Sequence, residues 1–458
     1  MLVVIGGILL LRLHPFLALI LGALTVAALT PPALVERAAL ARGSSAAAAR
    51  QLSQQSVGER VGEGFGRTAG QIGIMIAAAS IIGTCLLESG AADRIVRSAV
   101  RAVGQPRAPL AFLSSGFLLG IPVFFDTVFY LMVPLAKAMW ARTRANYLLY
   151  VLAIVGGATM THSLVPPTPG PLFVAAEMQI DMGVMILFGC IVSAFAALAA
   201  YAYAVWMNRR IDIPVRGSAE AMAQIEELAR RETSALPPLW LAALPIVLPV
   251  VLLAGSSFME MAGVAATRVG GIVAAVGDRN IALLIGAAIA LLTLVAYASG
   301  AKAMSGVKES IADGGVIILI TSAGGAFGAA LQQTGIAATI QQLSAAYQLP
   351  ILPLAFLLTM LVRTAQGSAT VAMITASGIV SGFATSGQLA FHPVWLALAI
   401  GCGSKPIWWM NDSGFWVVTQ MSGFEERESL RILTPMSLVM GSVGLATTMA
   451  GAWLFPMR

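Results

Sequence analysis

Long apolar runs separated by short polar stretches organise the chain from end to end. A helix needs about 20 residues to cross a bilayer. On that measure the runs predict crossings near 2–11, 15–30, 69–89, 147–178, 182–207, 239–256, 281–299, 314–333, 393–421 and 432–455. Two further apolar blocks, 110–136 and 351–386, are interrupted by Gly, Pro, Ser and Thr. The polar stretches 31–68 and 208–238 are linker-sized, so no soluble domain is expected. The run at 2–11 is short and stops at Arg12, as if the crossing began upstream, and its flanks are not those of a cleavable signal.

Composition agrees with this pattern. Of 458 residues, 58% are hydrophobic and 10% charged, against roughly a quarter charged in soluble domains. A water-soluble enzyme is excluded, and an all-α integral membrane protein with the lipid bilayer as its surroundings is expected. The 46 glycines and 22 prolines are tolerable where neighbouring helices re-satisfy broken backbone bonds. Cys85, Cys190 and Cys402 lie in apolar runs with neither a disulfide framework nor metal-ligand spacing. The net charge of +6 is modest and sits in loops, which argues against nucleic acid as a partner. No cofactor motif is present.

Loop charge sets orientation, because Lys and Arg concentrate on the cytoplasmic side. Arg94, Arg97, Arg101 and Arg107 crowd the segment 91–107, and the first three share one helical face, as in a helix lying in the interface. Lys137, Arg142 and Arg144 follow the block 110–136. With both flanks cytoplasmic, that block enters and returns as a re-entrant hairpin. Arg209, Arg210, Arg216, Arg230 and Arg231 place 208–238 inside as well. The segment 31–68, with five arginines, falls outside and runs against the rule.

A weak self-similarity recurs at an offset near 245. IGTCLLESGAADRI (82–95) matches FGAALQQTGIAATI (327–340) at five positions, and LAFL at 110–113 recurs at 354–357. The first copy's loop carries four arginines; its counterpart from Gly335 to Pro350 has no charged residue. Equivalent loops of opposite basic content belong on opposite sides. The chain therefore reads as two inverted-topology repeats of five crossings each: 1–207 with a hairpin at 110–136, a cytoplasmic linker 208–238, and 239–458 with a hairpin at 351–386. Inverted repeats with broken helices and a mid-depth site are the signature of secondary transporters.

Four interruptions fall at membrane depth, two per repeat: GIPVFFDTVF (120–129), THSLVPPTPGP (161–171), RTAQGSATVA (363–372) and GSKPIWWMNDSGFW (403–416). Four prolines between Pro166 and Pro171 cannot continue a helix. Each break leaves carbonyls unpaired on one side and N–H groups with a positive dipole end on the other. Four such ends converging suit an anion rich in hydroxyls.

The segments THSLVPPTPGP, QGSATVA and NDSGFW resemble the motifs of the gluconate permease family, proton symporters for sugar acids in the bacterial inner membrane. The resemblance covers nearly the whole chain. It implies a scaffold part and a hairpin-bearing transport part in each repeat, the latter sliding as an elevator. It also implies uptake of gluconate or a related hydroxy acid with a proton. By analogy with elevator carriers, a homodimer is expected.

An ionisable group at mid-span costs about 2.5–3.5 kcal/mol on insertion scales, so each one asks for a reason. Asp126, at the tip of the first hairpin, reads as a proton carrier or as a helix cap. His162 precedes the proline break and reads as a proton carrier, a donor to substrate hydroxyls, or a satisfied structural histidine. Arg363 opens the second hairpin and suits a carboxylate, or a hairpin carbonyl, or Asp412. Lys405 is either the substrate's counter-charge or Asp412's partner. Asn411 and Asp412 either meet the substrate or cap the following half-helix, and Asp412 is a further proton-coupling candidate. Thr127, Thr161, Ser163, Gly367, Ser368 and Thr370 supply small polar contacts. Glu88 and Asp181 read as solvated, His392 as interfacial, and Trp408 and Trp409 as packing or as stacking on a sugar acid.

Competing classes are a sodium-coupled carrier of another organic acid, a channel, and a membrane-embedded hydrolase built on Asp126, His162 or Asp412. No Ser/His/Asp order, HExxH or GxSxG supports the hydrolase. Three separated histidines make no metal site.

Overall fold

The computed structural model describes residues 2–9, 11, 13–41, 44–216, 236–261, 267–297, 300–335, 350–385, 389–410 and 412–457. Most of the linker 208–238, the loop after Gly335 and Asn411 lie outside the described residues. The fold is all-helical among those residues. In chain order the helices are α1 (Leu2–Leu9), α2 (Pro15–Leu29), α3 (Pro32–Ala41), α4 (Ala46–Gln54), α5 (Val57–Glu88), α6 (Ala91–Val103), α7 (Ala108–Leu119), α8 (Phe125–Thr143), α9 (Tyr147–Leu164), α10 (Pro169–Glu177), α11 (Met182–Asn208), α12 (Leu239–Met261), α13 (Arg268–Val276), α14 (Arg279–Tyr297), α15 (Gly300–Gln333), α16 (Ile351–Gln366), α17 (Ala369–Thr385), α18 (Pro393–Gly403), α19 (Ser413–Ser422) and α20 (Glu426–Leu454).

Among the described residues, six spans are long and apolar enough to cross a membrane: Val57–Glu88, Tyr147–Glu177 (with the break between α9 and α10 inside it), Met182–Asn208, Arg279–Tyr297, Gly306–Gln333 and Glu426–Leu454. Four of the ten expected crossings are not among these six. Helix α1 has eight residues, about 12 Å at 1.5 Å per residue. Helix α2 meets α3 at a bend of 101°. The apolar run of α12 ends at Leu253, and the crossing at 393–421 is split into α18 and α19.

The largest departure is at 31–68, which is helical instead of a polar linker. Ser45 caps α4, and Ser56 with Glu59 forms a capping box that starts α5 twelve residues before the expected crossing. Such a box satisfies two of the orphan donors of a helix start. The polar first turns of α5 are accommodated by specific partners. Arg60 is buried and donates to Gln333 Oε1 at 3.0 Å and to the Ala27 carbonyl at 2.8 Å.

Six helices beginning at residues 57, 108, 125, 147, 169 and 182 have counterparts beginning at 300, 351, 369, 393, 413 and 426, an offset of 243–246 throughout. Their packing repeats as well. The first hairpin helix of each half lies on the broken helix of its own half (α7 on α9, α16 on α18), and α5 packs along α15. Across halves, α10 packs on α17 and α19 on α8. Equivalent glycines serve equivalent contacts: a Cβ on Gly157 would stand 2.2 Å from the Leu113 carbonyl oxygen, and one on Gly403 2.4 Å from that of Phe356. Only glycine admits so close an approach of two helices.

Helix α9 is apolar all round, and all but one of its residues are buried, the position expected of a helix with no polar face. Around it the outer helices turn apolar side chains outward. On α11, Leu187, Ile191, Phe195 and Leu198 make an exposed stripe, with Trp206 near the end, as on a lipid-facing helix with an interfacial aromatic. The expected amphipathic segment is α6, which buries Ala91, Ala92, Ile95 and Val96 while Arg101 stays exposed.

Candidate functional site

All four interruptions expected from the sequence are breaks between helices; three of them line one cavity of about 290 Å³, to which α9 adds side chains from its last turns before the proline break. That is near the lower end of the roughly 300–1,000 Å³ of small-molecule sites. Its walls come from the first hairpin tip (Phe124, Phe125, Asp126), α9 (Thr159, His162), the second hairpin tip (Arg363, Gly367, Ser368, Thr370) and the break before α19 (Lys405, Trp408, Asp412). Ile317 of α15 closes one side.

Arg363 is 1% exposed and fully engaged within the protein. Its Nε donates to the Ser404 carbonyl at 3.1 Å, one terminal nitrogen to the Gly367 carbonyl at 2.6 Å, and the other to the Asp412 carboxylate. Gly367 sits at φ +85°, the left-handed turn that ends α16, a conformation glycine adopts without strain. Asp412 uses its second oxygen to cap α19 through the Phe415 N–H at 3.0 Å. Arg363 and Asp412 therefore tie the second hairpin tip to the second break, and their charges cancel.

Removing one partner of a buried ion pair costs about 3–5 kcal/mol, because the other charge is left uncompensated. Arg363→Met is thus expected to lower the thermal unfolding midpoint in detergent by several degrees, and Arg363→Met with Asp412→Met together to recover much of the loss. An unchanged midpoint in the single variant would contradict the clamp.

Lys405 differs. It is 4% exposed, its Nζ donates to the Thr159 carbonyl at 3.3 Å, and no carboxylate lies within 4 Å of it among the described residues. A buried ammonium with three donors and one long bond is an incomplete arrangement that an anion in the cavity completes. Asp126 stands in the first turn of α8, where no side chain caps the helix start. No cation lies within 4 Å of its carboxylate among the described residues. The Nδ1 of His162 is buried without a hydrogen-bond partner, with the Phe124 ring edge-on at 6.1 Å.

Of the remaining sequence candidates, Ser368, Thr370 and Trp408 line the cavity and the others fall elsewhere. Ser368 caps α17 by accepting from the Val371 N–H at 3.3 Å while still lining the cavity. Thr127 lines a separate small cavity of about 50 Å³ with Ser80, Thr84 and Ser310. Thr161 donates back to the Gly157 and Ala158 carbonyls, and Ser163 is buried outside the cavity lining, with its backbone carbonyl facing Gly401. Asp181 caps α11 and is exposed, as is Glu88. His392 caps α18. Trp408 is buried, edge-on to Phe125 at 5.5 Å. Thr159, Phe124 and Phe125 were missed, although Thr159 lies one turn before His162 and helical periodicity alone puts both on one face.

A larger cavity of about 430 Å³ lies between the start of α5 and the end of α15, lined by Arg60, Glu63, Arg67, Glu177 and Gln332. None of the four breaks reaches it. Its charged groups are engaged locally: Arg67 stands 4.0 Å from Glu177, to which Gln332 also donates, Arg60 donates to Gln333 and Glu63 accepts from Gln55.

The comparisons with known proteins point to a permease. The chain is 33% identical over 387 residues to the gluconate permease of Pseudomonas aeruginosa, covering 84% of this chain and 85% of that one. It is 33% identical over 405 residues to an uncharacterized permease of Haemophilus influenzae, covering 85% and 82%. Among solved structures, the YdaH transporter of Alcanivorax borkumensis superposes with a TM-score of 0.64 at 14% identity, covering 97% of this chain and 99% of that one. The family described as GntP family permease matches residues 1–454. A multi-pass inner-membrane chain of this build, with permease relatives over most of its length, is a transporter and not an enzyme, and it belongs to the GntP permease family.

Proposed function

We propose that the protein imports gluconate or a related small hydroxy-carboxylate together with a proton. The observation that carries the reading is the cavity at the helix breaks, where, among the described residues, the buried ammonium of Lys405 has no carboxylate within 4 Å and the carboxyl of Asp126 has no cation within 4 Å. Lys405 takes the substrate's carboxylate. Asp126 carries the coupled proton, because its carboxyl lines the cavity with no cation within 4 Å among the described residues, whereas that of Asp412 is held by Arg363 and caps α19. His162, Ser368, Thr370 and the backbone at Gly367 meet the hydroxyls.

The two halves, 1–207 and 239–458, are proposed to be inverted repeats joined by a cytoplasmic linker, and the recurrence of helices and contacts at one offset supports this. The hairpins and broken helices form the moving part, sliding as an elevator against α5 and α15 within a homodimer. On that reading, the bonds from Gln332 to Glu177 and Ser381 join the fixed part to the moving part and break during each cycle.

One monoanion carried with one proton moves no net charge, whereas each net charge is worth about 2.3 kcal/mol per 100 mV. In proteoliposomes, an inward proton gradient is expected to drive gluconate accumulation that a protonophore abolishes, with no substrate-induced current. Accumulation driven by sodium alone would overturn the proton assignment, and a current would overturn the stoichiometry.

A further inference from the structure

Resting on the reading of this cavity as the substrate site, we infer that the Thr159 hydroxyl binds the hydroxyl on the carbon next to the substrate's carboxylate, so that the carrier selects 2-hydroxy acids. The first observation is a buried orphan hydroxyl in the cavity wall. Thr375 is a second buried threonine without a partner, but it does not line the cavity. Several other threonines in the helices return their hydroxyl to a carbonyl one turn back: Thr161 to Gly157, Thr321 to Ile317, Thr359 to Ala355, Thr364 to Met360 and Thr448 to Gly444, at 2.8–3.3 Å. This bond is the usual way a buried hydroxyl is satisfied inside a helix. Thr159 makes no such bond. It is 2% exposed, its Oγ1 is buried with no partner, and it lines the cavity.

The second observation fixes which ligand group it reads. The carbonyl of the same residue accepts from Lys405 Nζ at 3.3 Å, so the ammonium and the orphan hydroxyl stand within one residue of each other. A carboxylate on the ammonium and the hydroxyl on the carbon next to it are ligand groups close enough together to engage both. His162, one turn along the same face, offers a second buried and unpartnered polar atom, Nδ1, for the next hydroxyl along the chain. A site built to bond a hydroxyl rejects the analogue that lacks it, since its own polar groups are then left unpaired.

The test is binding to purified protein, read as ligand-induced thermal stabilisation titrated to a Kd. The probes are two pairs: D-gluconate with 2-deoxy-D-gluconate, and D-glycerate with 3-hydroxypropionate. In the wild type the 2-hydroxy member of a pair is expected to bind at least 10-fold more tightly. Thr159→Val, which keeps the shape and loses the hydroxyl, is expected to weaken only that member and to compress the ratio below 3-fold. Thr159→Ser retains the preference. The unliganded midpoint of Thr159→Val should be no lower than that of the wild type, because the lost hydroxyl has no partner inside the protein. Equal wild-type binding within both pairs, or an equal loss for both members in Thr159→Val, overturns this inference and leaves the transport reading standing. Failure of all four acids to bind overturns both.

Discussion

Lys405→Met loses substrate binding by at least 100-fold, about 2.8 kcal/mol at 1.4 kcal/mol per factor of ten, while the unliganded protein is as stable as the wild type or more so. The two effects have one cause. A buried charge without a charge partner is costly to keep, and replacing it by an apolar group of similar shape is commonly neutral or stabilising. The ammonium of Lys405 has only a 3.3 Å bond to a backbone carbonyl among the described residues, so the substitution leaves no orphaned counter-charge behind. The substrate's carboxylate, by contrast, would enter a site whose other cation, Arg363, is already taken up by Asp412 and two carbonyls. Titration calorimetry with gluconate and a thermal unfolding scan check both halves of the statement. A large drop in stability with residual binding intact would make Lys405 a structural residue.

Asp126→Asn uncouples the carrier. The substitution keeps the side chain's size at the start of α8 and removes its ability to take up a proton. Gradient-driven accumulation is expected to vanish, while exchange of external labelled gluconate for internal unlabelled gluconate continues at a substantial fraction of the wild-type rate. Exchange needs the site and the movement but no net proton transfer. Equal loss of both activities would assign Asp126 to structure, and retention of both would move the proton to His162 or Asp412.

The four interruptions were legible in the sequence because proline and glycine at membrane depth have few structural outcomes, and the structure breaks the helices at each of them. The amphipathic α6 was legible for a similar local reason. What was illegible depended on distant partners. Arg60, Glu63 and Arg67 made the segment 31–68 look like a loop; the Ser56–Glu59 capping box that starts α5 was a local signal passed over, but the partner that accommodates the buried Arg60, Gln333, is 273 residues away. Which cation serves the ligand was also undecidable, since Arg363 and Lys405 each had Asp412 as a plausible partner. The tertiary arrangement gives Asp412 to Arg363 and leaves Lys405 beside Thr159. Thr161 and Ser163 flank His162 in sequence but do not line the cavity, whereas Thr159, one turn back, does.

Each role given to Lys405, Asp126 and Thr159 requires that the two halves run in opposite directions through the membrane, so that their breaks meet. The direct measurement is side-specific thiol labelling of single cysteines at Ser98 and at Ser344, in a background lacking Cys85, Cys190 and Cys402, in right-side-out and inverted vesicles. Labelling of position 98 from the cytoplasmic side and of position 344 from the periplasmic side is the predicted result. Labelling of both from one side would contradict the account.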